Sequence, residues 1–204
     1  SNTFDLVSGG FNLAGGNGWT NVSGRNYVAW NWKAGGAGSA NTDGSINTTA
    51  TSVNTTAGFS ISTYTGTGSA ATIGHGLGVK PSMIIVKNLS SSSYGWYVYH
   101  KSIAATHEIL LNSSSAKDTT SQWNDTEPTS SVFSVGTAAA TNGSGNNLVA
   151  YCFAEKTGYS KFGSYKGNGN ADGTFVYTGF KPAFVIIKAT NAGENWFICD
   201  NKRE

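Results

Sequence analysis

Residues 76–88, "GLGVKPSMIIVKN", are answered about a hundred residues later by 178–190, "TGFKPAFVIIKAT", nearly the same strand with a glycine and a Lys-Pro ahead of an apolar run. Self-similarity at a fixed offset marks a repeat architecture and limits the chain to folds that can use one unit twice. The match extends further. Val28-Ala29-Trp30 answers Val149-Ala150-Tyr151, and Gly58-Phe59-Ser60 answers Gly158-Tyr159-Ser160. Tyr64-Thr65-Gly66-Thr67-Gly68 answers Tyr165-Lys166-Gly167-Asn168-Gly169, Lys80-Pro81 answers Lys181-Pro182, and Trp96 answers Trp196, all in the same order. The offset is 121 for the first pair and 100 or 101 for the others, so the first copy carries about 20 extra residues between Trp32 and Gly58. That stretch, 34–57, is rich in Gly, Ser, Thr and Asn and is expected to be a projecting loop or an edge meander.

Apolar residues alternate or come in short blocks, and helical periodicity is almost missing. The sequence predicts an all-β fold, an antiparallel β-sandwich or jelly-roll-like arrangement of two internally repeated units. Their expected limits are 1–130 and 131–204, the second truncated at its C-terminus. Strands are predicted at 27–33, 59–65, 83–88, 96–101, 107–112, 132–135, 148–155, 159–165, 175–178, 184–189 and 195–199, each rich in Val, Ile or aromatic residues and bounded by turn formers. Pro81 and Pro182 read as strand entrances, because proline cannot donate to a ladder. The unbroken apolar run behind each reads as a strand covered on both faces. Alternation puts Val28, Trp30 and Trp32, and likewise Val149, Tyr151 and Phe153, on one side, with Asn31 and Cys152 opposite; the bulky side is expected to face the core. Separate sandwiches and two halves of one domain both remain open.

An apolar share of 38% suffices for an ordinary core. Charged residues make up only 12% and the net charge is +2, so no basic stripe could neutralise many phosphates, and no nucleic-acid partner is expected. The longest apolar runs fall far short of the roughly 20 residues of a membrane helix, so no membrane insertion is expected. Cys152 and Cys199, 47 residues apart, are expected as reduced thiols.

The chemistry-bearing residues form no recognisable motif. His75, His100 and His107 have neither nucleophile nor zinc spacing, and the reading is no catalytic residue, no metal, no cofactor and no enzyme. Glu108, Asp125, Glu127 and Glu155 lie in or beside predicted strands, so a carboxylate pair assembled by folding is the alternative, that of a glycoside hydrolase. Asp43-Gly44 and Asp172-Gly173 carry oxygen ligands suited to calcium, but the pair is also a standard tight turn and is read as one. Trp96 and Trp196 recur and read as core anchors. Trp19 and Trp123 lie in polar loops without counterparts and are the candidate ligand-binding residues, as stacking platforms for glycans.

The runs "YVAWNWKAGGAG", "GHGLGVKPSMIIVKN", "WNDTEPTSSVFSVGT" and "LVAYCFAEKTGYSKFGSYKGNG" resemble an uncharacterised β-domain family of tailed-phage virion proteins, found in tail-fibre-like and other structural proteins of marine and environmental phages. The resemblance runs from about residue 25 to the end. It implies a virion structural protein assembled in the host cytoplasm, part of a tail fibre or other external appendage, with other virion proteins as partners. It also implies a homo-oligomer, a trimer by analogy with fibres, and contact with host surface glycans. The alternatives are a tail-spike-type polysaccharide-degrading hydrolase and a capsid or head-surface protein with no receptor role.

Overall fold

The computed structural model describes residues 4–13 and 20–202. The chain divides into two compact units, Ser1–Trp32 and Lys33–Glu204. In the first, β1 (Phe4–Val7) and β2 (Gly10–Leu13) form an antiparallel hairpin. Its turn uses Gly9 at φ 83°, a conformation that residues with a Cβ rarely adopt. Residues 20–32 form no strand, contrary to the strand predicted at 27–33.

The second unit contains β3 (Ala50–Asn54), β4 (Phe59–Thr65), β5 (Ala71–Gly74), β6 (Met83–Asn88), β7 (Trp96–His100), β8 (His107–Leu110), β9 (Asp118–Thr119) and β10 (Val132–Val135). A single helical turn, α1 (Ala139–Asn142), precedes β11 (Asn147–Phe153), β12 (Phe184–Ile187) and β13 (Phe197–Asp200). The fold is all-β, and its strand ladders are antiparallel. A seven-stranded sheet runs β3-β4-β11-β6-β7-β8-β9, and β5 pairs with β10 in a smaller sheet. One core joins the two layers: Tyr64, Ile84, Val86, Tyr99, Leu148 and Cys152 of the large sheet pack with Ile73, Phe133 and Val135 of the small one. Burying each such aliphatic side chain contributes roughly 1.5–3 kcal/mol. Among the described residues no helix is long and apolar enough to cross a membrane.

β11 lies between β4 and β6, so a strand from the second copy of the repeat sits at the centre of a sheet built by the first. This central place corrects the expected facing. Leu148, Ala150 and Cys152 point into the core, while Val149, Tyr151 and Phe153 lie on the outer face. Small residues suit the close approach of the two layers. The bulky ones are covered outside, where Tyr151 stacks on Trp96 at 6.2 Å and Phe153 meets Phe162 at 6.3 Å. Trp196 donates from Nε1 to the Leu110 carbonyl (2.9 Å) and packs on the cluster of Val98, Ile103 and Ile109.

The 34–57 insertion does not project. Its β3 pairs with β4, Ser39 bridges to Thr51, and Ile46 is buried in the core beside Ile73. The predicted strands at 159–165 and 175–178 are not formed; that region holds only the bridge between Lys156 and Ser160.

The second hairpin repeats the first in register. Met83 faces His100 and Val86 faces Tyr97 in β6–β7; Phe184 faces Asp200 and Ile187 faces Phe197 in β12–β13. Its loop is also tied in the same way. Lys87 Nζ donates to the carbonyls of Asn88 (3.0 Å), Ser91 (3.3 Å) and Tyr94 (2.8 Å). Lys188 Nζ donates to those of Ala189 (3.0 Å), Glu194 (2.7 Å) and Ser114 (3.0 Å).

Candidate functional site

Two of the acids flagged in the sequence are knots of the scaffold. Glu127 accepts from Lys80 Nζ (2.8 Å), the Tyr99 hydroxyl (2.5 Å) and the Ala105 N–H (2.9 Å). Burial pushes its pKa up, but these bonds outweigh burial and hold the carboxyl below its ordinary value. Glu155 accepts from Lys101 (2.6 Å), Lys161 (3.3 Å) and the Phe162 N–H (3.0 Å), and is held low for the same reason. Charge-assisted bonds of this kind fix the strand ends and leave the acids ionised.

Glu108 differs. The β8–β9 ladder places it opposite Asp118, and its Oε2 is buried without a hydrogen-bond partner. Burial raises its pKa; the side chains of Thr120 and Gln122 oppose the shift, and Asp118 adds to it. Gln122 is itself held through Oε1 by the Thr141 hydroxyl (2.8 Å). Glu108 and Asp118 line a cavity of about 340 Å³ with Leu110, Ser115 and Lys117. A carboxyl that keeps its proton to higher pH has the property of a general acid.

The histidines serve the backbone. His75 is buried, its Nδ1 accepts the Leu77 N–H (3.2 Å), and Nε2 lies 3.3 Å from the Thr129 carbonyl, which fixes Nε2 as the protonated nitrogen. Burial lowers its pKa, against smaller opposing effects of Thr129 and Asp43. His100 accepts the Ser102 N–H through Nδ1 (3.1 Å), and His107 Nδ1 lies 2.9 Å from the Thr106 hydroxyl. The Asp43 N–H donates to Asn41 Oδ1 (2.9 Å), closing the turn read from the Asp-Gly pair.

Of the two tryptophans expected to stack on glycans, the structure describes one. Trp19 lies outside the described residues. Trp123 is only 2% exposed, edge-on to Tyr99 at 6.1 Å, so no ring face is left for a sugar. Its loop reads as polar, yet Gln122 and Trp123 tuck inward together. Cys152 and Cys199 are free thiols; burial pushes the Cys152 thiol up to about 12, the Ser60 hydroxyl opposing.

The exposed rings lie elsewhere. Phe175 is 84% and Tyr177 77% exposed, with Tyr159, Tyr165 and Phe197 also on the surface of this unit. The counterparts of Phe175 and Tyr177 in the first copy are Gly74 and Gly76, which make room for the insertion: a Cβ at Gly74 would strike the Asn41 side chain, and one at Gly76 the Val53 side chain. The second copy has no such insertion, and aromatic rings stand on its surface instead. Comparing the copies residue by residue could have found them.

The model of a family described as a domain of unknown function, DUF7483, matches residues 2–204. The chain belongs to that family. No curated protein and no solved structure matches it. This DUF7483 chain thus presents a scaffold repeated in register, an aromatic surface on the second copy, and one raised carboxyl beside a cavity.

Proposed function

We propose that the chain is a non-enzymatic structural module of a tailed-phage virion, part of a tail fibre or other external appendage, and that the aromatic rings of its second copy contact host surface glycans. The observation that carries this reading is the divergence between the copies. Hairpin register and lysine-tied loops are kept, while Gly74 and Gly76 give way to the exposed Phe175 and Tyr177. A scaffold held constant under a changing aromatic surface is how recognition is grafted onto a fold. A trimer is the oligomer expected of a fibre.

The test is gold-labelled antibody against the chain applied to intact particles of the phage that encodes it, together with a glycan array. Label on the tail appendage, and glycan binding lost in Tyr177→Ala and Phe175→Ala, are expected. Label confined to the head, or no chain in purified particles, would overturn the reading.

The Glu108–Asp118 pair favours a second reading, a polysaccharide hydrolase with Glu108 as acid. Release of oligosaccharide from host capsule or lipopolysaccharide, abolished by Glu108→Gln, would establish it in place of the first.

A further inference from the structure

The seam between the β12–β13 hairpin and the first copy holds a second place where the copies differ. Trp196 packs on Val98, Ile103 and Ile109, and its Nε1–H is committed to the Leu110 carbonyl (2.9 Å), so the indole is held in one orientation. Two further bonds fasten the seam: Lys188 Nζ donates to the Ser114 carbonyl (3.0 Å) and the Lys117 N–H to the Thr190 carbonyl (2.9 Å). Beside these ties Leu111, Asn112, Ser113, Ser114, Asn195 and Trp196 line a solvent-open cavity of about 320 Å³. Small-molecule sites begin at about that size.

The copies diverge at this cavity. Trp196 is the counterpart of Trp96, so Asn195 is the counterpart of Gly95. In the first copy the equivalent place is filled. Trp96 stacks on Tyr151 at 6.2 Å, its N–H donates to Asn112 Oδ1 (2.9 Å), and a Cβ at Gly95 would come within 2.8 Å of that same oxygen. The second copy has an amide side chain where the first has none, and its tryptophan lines the cavity.

The lining selects the chemistry of the ligand. The indole offers a rigid apolar surface. Asn112 keeps its amide donors after Oδ1 has accepted the Trp96 N–H, Asn195 brings both a donor and an acceptor, and Ser114 brings a hydroxyl. Among the described residues no charged side chain lines the cavity. Lys188, which ties the rim, spends its donors on the carbonyls of Ser114, Ala189 and Glu194. A ligand carrying a carboxylate or phosphate would therefore meet no charged partner there. A pyranose ring matches the lining, with an apolar C–H face bordered by hydroxyls that both donate and accept.

We infer that this cavity binds one neutral pyranose unit of a glycan, its C–H face on Trp196 and its hydroxyls on the amides of Asn112 and Asn195. The site shares only its class of ligand with the proposed function, and it stands apart from Phe175 and Tyr177.

Two-dimensional NMR of the isotope-labelled full chain tests it, with methyl glycosides of glucose, galactose, mannose and N-acetylglucosamine as probes and glucuronic acid as the charged control. Saturable shifts of the Trp196 indole N–H and the Asn195 amide are expected with at least one neutral sugar, and none with glucuronic acid. Asn195→Gly restores the residue of the first copy at an exposed position, so it should leave the remaining spectrum in place while weakening that sugar about fivefold. The Phe175→Ala, Tyr177→Ala double variant should bind it unchanged. No shift at Trp196 and Asn195 with any neutral sugar, unchanged affinity in Asn195→Gly, or tighter binding of glucuronic acid would overturn the inference. Glycan binding lost in the double variant and kept in Asn195→Gly would overturn it in favour of the exposed rings alone, so the two readings fall separately.

Discussion

The Asn41 side chain occupies the space that a side chain on Gly74 would need. Asn41 is not free to move aside, since Oδ1 accepts the Asp43 N–H (2.9 Å) and its own N–H donates to the Thr48 hydroxyl (2.8 Å). The insertion and the glycine therefore belong together. Gly74→Ala should destabilise the chain by about 1–3 kcal/mol through overpacking. Thermal melts should show that cost shrinking in an Asn41→Gly background, while Ala at Phe175, the equivalent position, leaves the melting temperature nearly unchanged. An equal cost in both backgrounds would break the link.

The two lysine ties predict different consequences from the same chemistry. Lys87→Met leaves the carbonyls of Ser91 and Tyr94 without their charged donor, in a hairpin at the centre of the large sheet. Bonds to a charged donor contribute about 1.5–3 kcal/mol, so a loss of about 2 kcal/mol is expected in denaturant titration. Lys188→Met removes the matching bonds from a two-stranded hairpin, and should show faster local amide exchange at 189–195 with little change in global stability.

What the sequence made legible follows from where pairing is strong. β4, β6, β7 and β11 were expected within a residue or two, because Val, Ile and aromatic residues mark strands that this sheet in fact flanks on both sides. The same residue types at 27–33, 159–165 and 175–178 gave the same expectation and no strand, since a strand is a property of a pair. Asp118 was beyond reach. β9 is two residues long and carries no apolar residue, so only its pairing with β8 brings it to Glu108. Trp123 was misread because the inward turn of its loop depends on Tyr99 and the core beneath it.

Acid should unfold the chain in two stages. Burial lowers the native pKa of His75, and burial with Lys101 lowers that of His100 against Glu155. The unfolded chain therefore takes up protons that the folded one refuses below the ordinary value of 6.5; stability is complete above that pH and falls as pH drops toward the lowered native values. Glu127 and Glu155, held below 4.5, contribute stability that is lost later, as pH falls through their native pKa. In His75→Asn the slope of stability between pH 6.5 and 4.5 should become shallower, with the lower stage unchanged. Urea titrations across that range measure it, and an unaltered slope would contradict the assignment.

Glu108 works in the opposite sense. Its pKa is raised by burial, Thr120 and Gln122 opposing and Asp118 adding. The folded chain holds this proton to higher pH than the unfolded chain does, so the contribution of Glu108 to stability is complete below 4.5 and is lost as pH rises through the native value. Once ionised, the carboxyl sits with Oε2 buried and unbonded. Glu108→Gln should therefore raise the melting temperature increasingly as pH rises through the native value and leave it unchanged at pH 4, where the native residue is protonated and nearly isosteric with the amide. A structural acid held for stability would show the reverse, a melting temperature that falls below that of the native chain as pH rises, and the raised carboxyl would then have to be abandoned.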